Sequence, residues 1–70
     1  MAESLLTNTL KMHRAMADLT QEELAQAAGV TRQTIFAIEK GNYTPSVLLA
    51  LRLARILKHS VEEIFHENIE

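Results

Sequence analysis

The side chains that could do chemistry in this 70-residue sequence include three histidines and nine carboxylates, without a cysteine. His59, Glu63 and His66 would share one face if a single helix ran through them, and that spacing suits a metal site. Ser60, however, has the character of a helix cap and would leave His59 outside that helix, so we predict solvated surface side chains. His13 lies on an apolar stripe and is expected to be a buried, hydrogen-bonded histidine without a ligand.

An enzyme is not indicated by the remaining residues. The sequence has two glycines and no glycine-rich phosphate loop. Without a cysteine it has neither a thiol nucleophile nor the thiolate ligands of a zinc finger. We therefore predict a protein that is not an enzyme and that holds no metal or other cofactor.

A polar helix face between residues 31 and 41 is more informative. If Ile35 and Ile38 point inward at 100° per residue, the opposite face carries Gln33, Phe36, Ala37 and Lys40, with Arg32 at its edge. Such a face can donate and accept hydrogen bonds to base edges in a DNA groove. An ordinary solvated face is the alternative for this helix taken alone, so the neighbouring elements decide between them.

The element that precedes this face is a short helix with clear ends. Thr20 and Glu23 have the spacing of a capping box, which satisfies the first free amides of a helix. Gly29 stands where a left-handed residue would end it after about two turns. The residues expected to be buried on it are Leu24, Ala25 and Ala28.

The helix that carries the polar face follows after a turn of about three residues. Thr31 offers its N-cap, and Gly41 ends it. Two helices that cross steeply over such a turn need a glycine in the turn and a small residue at their contact, which Gly29 and Ala25 supply. This joint pattern predicts a helix-turn-helix unit from Thr20 to Gly41.

Three more helices complete a single all-α domain over residues 1–70, for which we expect five helices and no sheet. The first is predicted from about Ser4 to Ala17, on the spacing of Leu6, Leu10, His13 and Ala17. The fourth is predicted from the Ser46 cap to about Lys58, with Leu49, Leu53, Ala54 and Leu57 inward. A second capping box at Ser60 opens a short fifth helix that carries Ile64 and Phe65.

The net charge of −2 permits DNA binding without arguing for it. Four acidic residues follow residue 59, and the first 59 residues carry seven basic and five acidic side chains. The N-terminal residues show neither a secretory signal nor a membrane span. We therefore expect a cytoplasmic protein that does not contact a membrane.

Residues 19 to 46, LTQEELAQAAGVTRQTIFAIEKGNYTPS, resemble the helix-turn-helix family of phage repressors and Cro, also called the Xre family. The similarity continues through LALRLARIL and VEEIF and covers about residues 8 to 66. Within that family the sequence is most similar to short stand-alone regulators. The resemblance implies a compact repressor-like domain of five helices that binds double-stranded DNA at a palindromic operator as a homodimer and regulates transcription.

The resemblance also implies which positions contact DNA. Gln21, at the start of the second helix, would contact a phosphate or a base and support the recognition helix. The base-facing positions of the third helix would be Thr31, Arg32, Gln33 and Thr34. The residues that would contact the DNA backbone are Lys40, Asn42 and Tyr43. Arg14 matches an arginine that is often found at the end of the first helix.

Two positions depart from the family's pattern. His13 stands where the family usually has an apolar residue, which bears on the packing of the first helix. Phe36 stands where a small or polar residue is usual. Its ring would either rest on a thymine methyl group in the major groove or fold back over the loop near Tyr43, and we expect the second.

The first interpretation is a transcriptional regulator, and most simply a repressor. Two alternatives to it stay open. One is an antitoxin, whose partners would be a toxin protein and DNA, and the other is a protein interaction module that does not bind DNA. We expect the dimer contact in the region of the fourth and fifth helices. That expectation rests on Ile64, Phe65 and Ile69, which a short C-terminal segment would not bury completely.

Overall fold

The computed structural model describes residues 4–69, which form five helices and one two-stranded antiparallel ribbon. In chain order the elements are β1 (Ser4–Asn8), α1 (Leu10–Met16), α2 (Gln21–Ala28), α3 (Arg32–Glu39), α4 (Val47–Leu57), α5 (Val61–Ile64) and β2 (Phe65–Ile69). Residues 1–3, on which the expectation of no export signal partly rests, and Glu70 of the acidic tail lie outside this range. Within it, no helix has the length and apolar character needed to cross a membrane.

Side-chain caps begin four of the helices at the positions that the sequence predicted. Thr20 and Ser60 form complete capping boxes with Glu23 and Glu63. In both boxes the backbone N–H of the cap residue donates to the glutamate Oε1 at 2.8 Å. These bonds satisfy amides that would otherwise lack a partner at a helix start. The other two caps are Thr31 and Ser46.

The hydrophobic core lies between the helices and contains the predicted inward residues. Those of α2 to α4 are all buried: Leu24, Ala25, Ala28, Ile35, Ile38, Leu49, Leu53, Ala54 and Leu57. Leu10 from α1 and Ile64 from α5 are fully buried beside them. Burial of one such leucine or isoleucine side chain contributes about 1.5–3 kcal/mol. The core therefore fixes α3 from beneath and leaves its other face in solvent.

The ribbon of β1 and β2 takes the place of the first part of the predicted α1, so the expectation of no sheet is wrong here. Ser4–Asn8 pairs with Phe65–Ile69, with Leu6 opposite Glu67. Helix α1 begins only at Leu10, whose backbone N–H donates to Asn8 Oδ1 at 3.0 Å. Leu6, which was expected to face the core, is 41% exposed. The strand pairing, which no local periodicity can reveal, determines the conformation of this segment.

Helix α5 is shorter than predicted, because it ends at Ile64. Phe65 has extended backbone angles (φ −116°, ψ 133°) and begins β2. Both side chains are buried in the chain's own core. The expectation that Ile64 and Phe65 stay available for a dimer contact is therefore wrong. Ile69 belongs to β2, and its side chain is outside the described set.

Candidate DNA-binding surface

The turn between α2 and α3 has the backbone geometry that the sequence predicted. Gly29 is left-handed (φ 75°, ψ 30°), a conformation that costs a residue with a β-carbon about 1–2 kcal/mol. The N–H of Val30 donates to the carbonyl oxygen of Ala25 at 3.0 Å, which closes α2 in a Schellman motif. The chain then enters α3 at the Thr31 cap.

The outer side of α3 and the following loop expose most of the residues predicted to contact DNA. Those in solvent are Thr31, Arg32, Gln33, Phe36, Lys40, Asn42 and Tyr43. Gln21 and Thr34 are partly buried, and the Thr34 hydroxyl lies 3.0 Å from the Thr31 hydroxyl. Donors and acceptors for base edges and phosphates are thus concentrated on one helix and the loop after it.

Phe36 contributes an apolar patch to this surface. Its side chain is 47% exposed, and the Lys40 ammonium lies 5.8 Å from the ring centroid, within the range of a cation–π contact. The ring therefore stays accessible on the outer side of α3. This geometry favours the interpretation in which Phe36 reaches a base over the one in which it folds back near Tyr43.

A buried ion pair anchors α3 to α1. Arg14 Nε donates to Glu39 Oε2 at 2.7 Å, and Arg14 Nη2 donates to Glu39 Oε1 at 3.3 Å. The two side chains are 14% and 5% exposed. Arg14 Nη1 also donates to the carbonyl oxygen of Leu19 at 2.9 Å. Arg14 thus points into the protein, and we assign it a positioning role instead of the DNA contact that the family resemblance implied.

Gln21 extends this ion pair to the protein surface. Its Nε2 donates to Glu39 Oε1 at 3.1 Å, and its Oε1 accepts from Arg32 Nη1 at 3.0 Å. Since a carboxylate only accepts and a guanidinium only donates, both neighbours agree on the orientation of the amide. We call the four side chains, Arg14, Glu39, Gln21 and Arg32, the polar network. It connects α1, α2 and the exposed start of α3.

Three positioning residues were missed by the sequence analysis: Glu39, Asn8 and Arg52. Asn8 Nδ2 donates to the carbonyl oxygen of Ile38 at 2.8 Å, and Arg52 Nη1 lies 3.5 Å from that of Ala28. Each therefore satisfies a carbonyl in the last turn of a helix of the DNA-binding unit. The sequence signal for Glu39 was that it is the one acidic residue of α3, RQTIFAIE.

The residues considered for a metal site on the basis of sequence do not converge. His59 Nδ1 lies 3.3 Å from Glu63 Oε2, whereas His66 is on β2. No set of three or more histidine, aspartate or glutamate side chains in residues 4–69 has the arrangement of a metal site. The pKa of Glu63 is lowered from 4.5 to about 2, first by the hydrogen bond from the Ser60 backbone and then by that from His59.

The family follows from a match to the family model described as helix-turn-helix, over residues 10–64. The chain belongs to the helix-turn-helix family. The matched range runs from the start of α1 to the end of α5 and leaves out the ribbon. The resemblance to Xre-type regulators is thereby confirmed.

Relatives of this helix-turn-helix chain carry the same family name. The chain is 52% identical over 60 residues to an uncharacterised HTH-type transcriptional regulator of Methanocaldococcus jannaschii, covering 86% of this chain and 91% of the relative. It is 45% identical over 60 residues to the uncharacterised HTH-type transcriptional regulator YgzD of Bacillus subtilis, with the same two coverages. The relatives are regulators, and this chain is not an enzyme.

Solved structures show the same helix-turn-helix architecture. The restriction-modification controller protein C.AhdI of Aeromonas hydrophila superposes with a TM-score of 0.72 at 31% identity, over 77% of this chain and 82% of that chain. The clp gene regulator ClgR of Corynebacterium glutamicum superposes with a TM-score of 0.73 at 30% identity, over 77% of this chain and 57% of that chain. The fold of five helices is therefore that of the family, and the ribbon is a small addition.

Proposed function

We propose that this protein recognises a palindromic DNA operator through α3 and represses transcription there as a homodimer. The observation that carries the proposal is the exposed Arg32 at the start of α3, held by the polar network. A regulator of this kind works where chromosomal DNA is accessible, which for a prokaryotic cell is the cytoplasm.

Base recognition is assigned to the first turn of α3. Arginine matches the O6 and N7 acceptors of guanine, and glutamine matches the N6 donor and N7 acceptor of adenine. We therefore assign sequence reading to Arg32 and Gln33, supported by Thr31 and Thr34. Each good pair contributes about 1–3 kcal/mol of discrimination against a wrong base. Phe36 adds an apolar contact that suits a thymine methyl group.

The polar network supports Arg32 in this role by limiting its conformations before DNA binds. Gln21 holds one guanidinium nitrogen, and the other N–H groups of Arg32 stay available for a base. Ordering a long side chain on binding costs about 0.5–1.5 kcal/mol, so an Arg32 that is already ordered binds more tightly. Lys40, Asn42 and Tyr43 are assigned to phosphates, which fix orientation without reading sequence.

Substitutions in α3 test this assignment on a site selected from random duplexes. Arg32→Ala and Gln33→Ala should each weaken binding to the selected site by about 10-fold or more and change binding to a scrambled duplex much less. Lys40→Ala should weaken both similarly and reduce the salt slope by about one. Lys11→Ala removes an exposed basic residue of α1, away from α3 and from the exposed face of α4, and is the matched control. An unchanged ratio of selected to scrambled affinity in the Arg32 and Gln33 variants would exclude α3 as the reader.

A homodimer is supported by the exposed face of α4. Val47 is 78% exposed, Leu48 58% and Leu51 55%, and their spacing brings them to one side of the helix. Clustered apolar side chains in solvent mark interaction surfaces. Two copies of this face can meet about a two-fold axis, which suits an operator whose half-sites lie about 34 Å apart. The support for the dimer thus comes from α4. The prediction from sequence included this helix in the contact region but rested on the apolar residues that follow Ser60.

Sedimentation of the free protein tests the dimer. The wild-type chain should sediment as a dimer, and Leu51→Glu should shift it to the monomer because the interface would bury two unpaired carboxylates. Met16→Glu, at an apolar position of α1 that is 64% exposed, is the matched control. A wild-type monomer at high concentration, together with a selected site without dyad symmetry, would contradict the proposal. Binding of another protein at α4 without DNA affinity would favour an interaction module, and binding of both another protein and DNA would favour an antitoxin.

A further inference from the structure

A cavity of about 610 Å³ lies away from the DNA-binding face, between the C-terminal ends of α1, α2 and α4. Its lining is partly apolar and comes from Met16, Leu19, Ala27, Ile56 and Leu57, among others. Two imidazoles, those of His13 and His59, also line it. Their ring centroids are 4.6 Å apart, and the ring planes meet at 66°. Neither ring belongs to the polar network or to α3, so the proposed function leaves this pair unexplained.

His13, at the wall of the cavity, is hydrogen-bonded through its Nδ1 atom. The residue is only 7% exposed, and its Nδ1 lies 2.9 Å from the carbonyl oxygen of Thr9. Since a carbonyl oxygen can only accept, Nδ1 carries the hydrogen and Nε2 carries a lone pair in the neutral ring. Among the side chains and backbone of residues 4–69, Nε2 of His13 has no hydrogen-bond donor. No buried side-chain nitrogen or oxygen atom of the described residues lacks a partner, so this Nε2 is open to the solvent of the cavity and is available to a donor or a cation.

His59 has the same arrangement. Its Nδ1 lies 3.3 Å from Glu63 Oε2, and a carboxylate oxygen only accepts, so Nδ1 again carries the hydrogen. Nε2 of the neutral ring is left with a lone pair, and the described residues provide no donor to it. Two imidazole rings whose Nε2 atoms have no partner within the chain therefore lie side by side at the wall of one cavity.

We propose that His13 and His59 bind one transition-metal ion of the class represented by Zn²⁺ through their Nε2 atoms. Metal-ligating histidines typically donate the other ring N–H to a carbonyl or carboxylate oxygen, as both rings do here. Imidazole favours zinc, copper and nickel, whereas magnesium and calcium prefer oxygen ligands. Two protein ligands leave the remaining positions to water, so the site is open and of moderate affinity. The sequence predicted no metal, because His13 and His59 meet only in the folded chain.

Calorimetric titration of the untagged, chelator-treated protein with ZnCl₂ tests the site. We expect saturable binding of one ion per chain, a higher melting temperature with zinc, and no response to MgCl₂. His59→Gln and His13→Gln should each weaken zinc binding by about 10-fold or more, which is the scale of losses at metal sites. His66→Gln removes the third histidine, on β2, and should leave the affinity within about twofold, as expected of a residue outside the ligand set.

A second measurement separates ligand loss from misfolding, because His13 is buried. The ¹⁵N resonances of Nε2 in His13 and His59 should shift on zinc addition in the wild-type chain, and that of His66 should not. The partly exposed His59 variant should keep its helical circular dichroism and still lose zinc. Absence of saturable binding, or loss of zinc in His66→Gln with retention in His59→Gln, would overturn the proposal. DNA affinity does not depend on this result, because the pair lies apart from α3.

Discussion

Glu39 holds together the polar network that supports Arg32, the residue to which we assign base recognition. Its carboxylate is almost completely buried and accepts hydrogen bonds from Arg14 on α1 and Gln21 on α2. A buried carboxylate is costly alone, and the guanidinium of Arg14 compensates for it at 2.7 Å. An acidic residue on a DNA-reading helix would repel phosphates if it faced outward. Here it faces inward and orients Gln21, which in turn accepts a hydrogen bond from the exposed Arg32.

Glu39→Gln should lower the free energy of unfolding by about 3 kcal/mol, because it leaves the charge of Arg14 inside without its partner. Urea unfolding followed by circular dichroism measures the change. Glu22→Gln, on the exposed first turn of α2, is the matched control and should change stability by less than about 0.5 kcal/mol. Similar stabilities of the two variants would show that the ion pair contributes little and that packing alone holds α3.

The same residues show why the site was only partly predictable from sequence. The outward position of Arg32 and Gln33 follows from the inward position of Ile35 and Ile38, since all four lie on one short helix. Glu39 and its partners come from three helices, and no spacing along the chain indicates a hydrogen bond between them. Local periodicity thus predicted the exposed face of α3, whereas the polar network behind it required the tertiary structure.

Helices α1 to α4 are each followed by a residue with left-handed backbone angles, and at two of these positions that residue is not glycine. Asp18 and Lys58 have left-handed backbone angles, with φ of 58° and 60°, at the ends of α1 and α4. Gly29 and Gly41 take the corresponding positions after α2 and α3. A β-carbon makes this conformation unfavourable by about 1–2 kcal/mol. Helices α2 and α3 therefore end without this strain, and α1 and α4 do not.

Lys58→Gly should raise the free energy of unfolding by about 1 kcal/mol. Relief of the left-handed strain exceeds the added entropy of glycine in the unfolded chain. Thermal or urea unfolding measures the effect. Arg55→Gly, one turn earlier within α4, is the control and should lower stability by about 1 kcal/mol, since glycine is unfavourable inside a helix. Destabilisation by Lys58→Gly would show that the lysine side chain itself contributes to the fold.

Element boundaries were predictable where the determining contact is local. Each predicted cap bonds a backbone amide three residues away, so Thr20, Thr31, Ser46 and Ser60 were identified from spacing alone. The start of α1 was not, because Ser4–Asn8 pairs with residues from the other end of the chain. Its apolar residues fit a helical period by coincidence.

The molecule as a whole is elongated, with extents of 39 × 22 × 20 Å. The ribbon is attached to the helical body through Thr9, whose N–H donates to the carbonyl oxygen of Ile64 at 2.8 Å, and through Asn8. Asn8 also reaches the last turn of α3, as described above. The ribbon thus fixes the end of the DNA-reading helix, although it lies outside the range of the family match.

Amide hydrogen exchange should divide the molecule into two levels of stability. Amides of β1 and β2 should exchange at least about 10-fold faster than those of α2 and α4, because a two-stranded ribbon is only marginally stable and the helices enclose the core. Exchange followed by NMR at single residues measures this difference. Equal protection in the ribbon and the helices would mean that they unfold together as one unit.

The pairing of β1 with β2 also sets an order of events during synthesis. Thr7 and its partner His66 are 59 residues apart, and a ribosome takes about 3–12 s to add that many residues. The helix-turn-helix unit leaves the ribosome earlier and has most of its core by then. Strand β1 therefore waits for β2, with Leu5 and Leu6 still without their cross-strand neighbours. A chain truncated before residue 65 would keep α3 and lack the hydrogen-bond partners of β1, so closure of the ribbon reports that synthesis has passed β2.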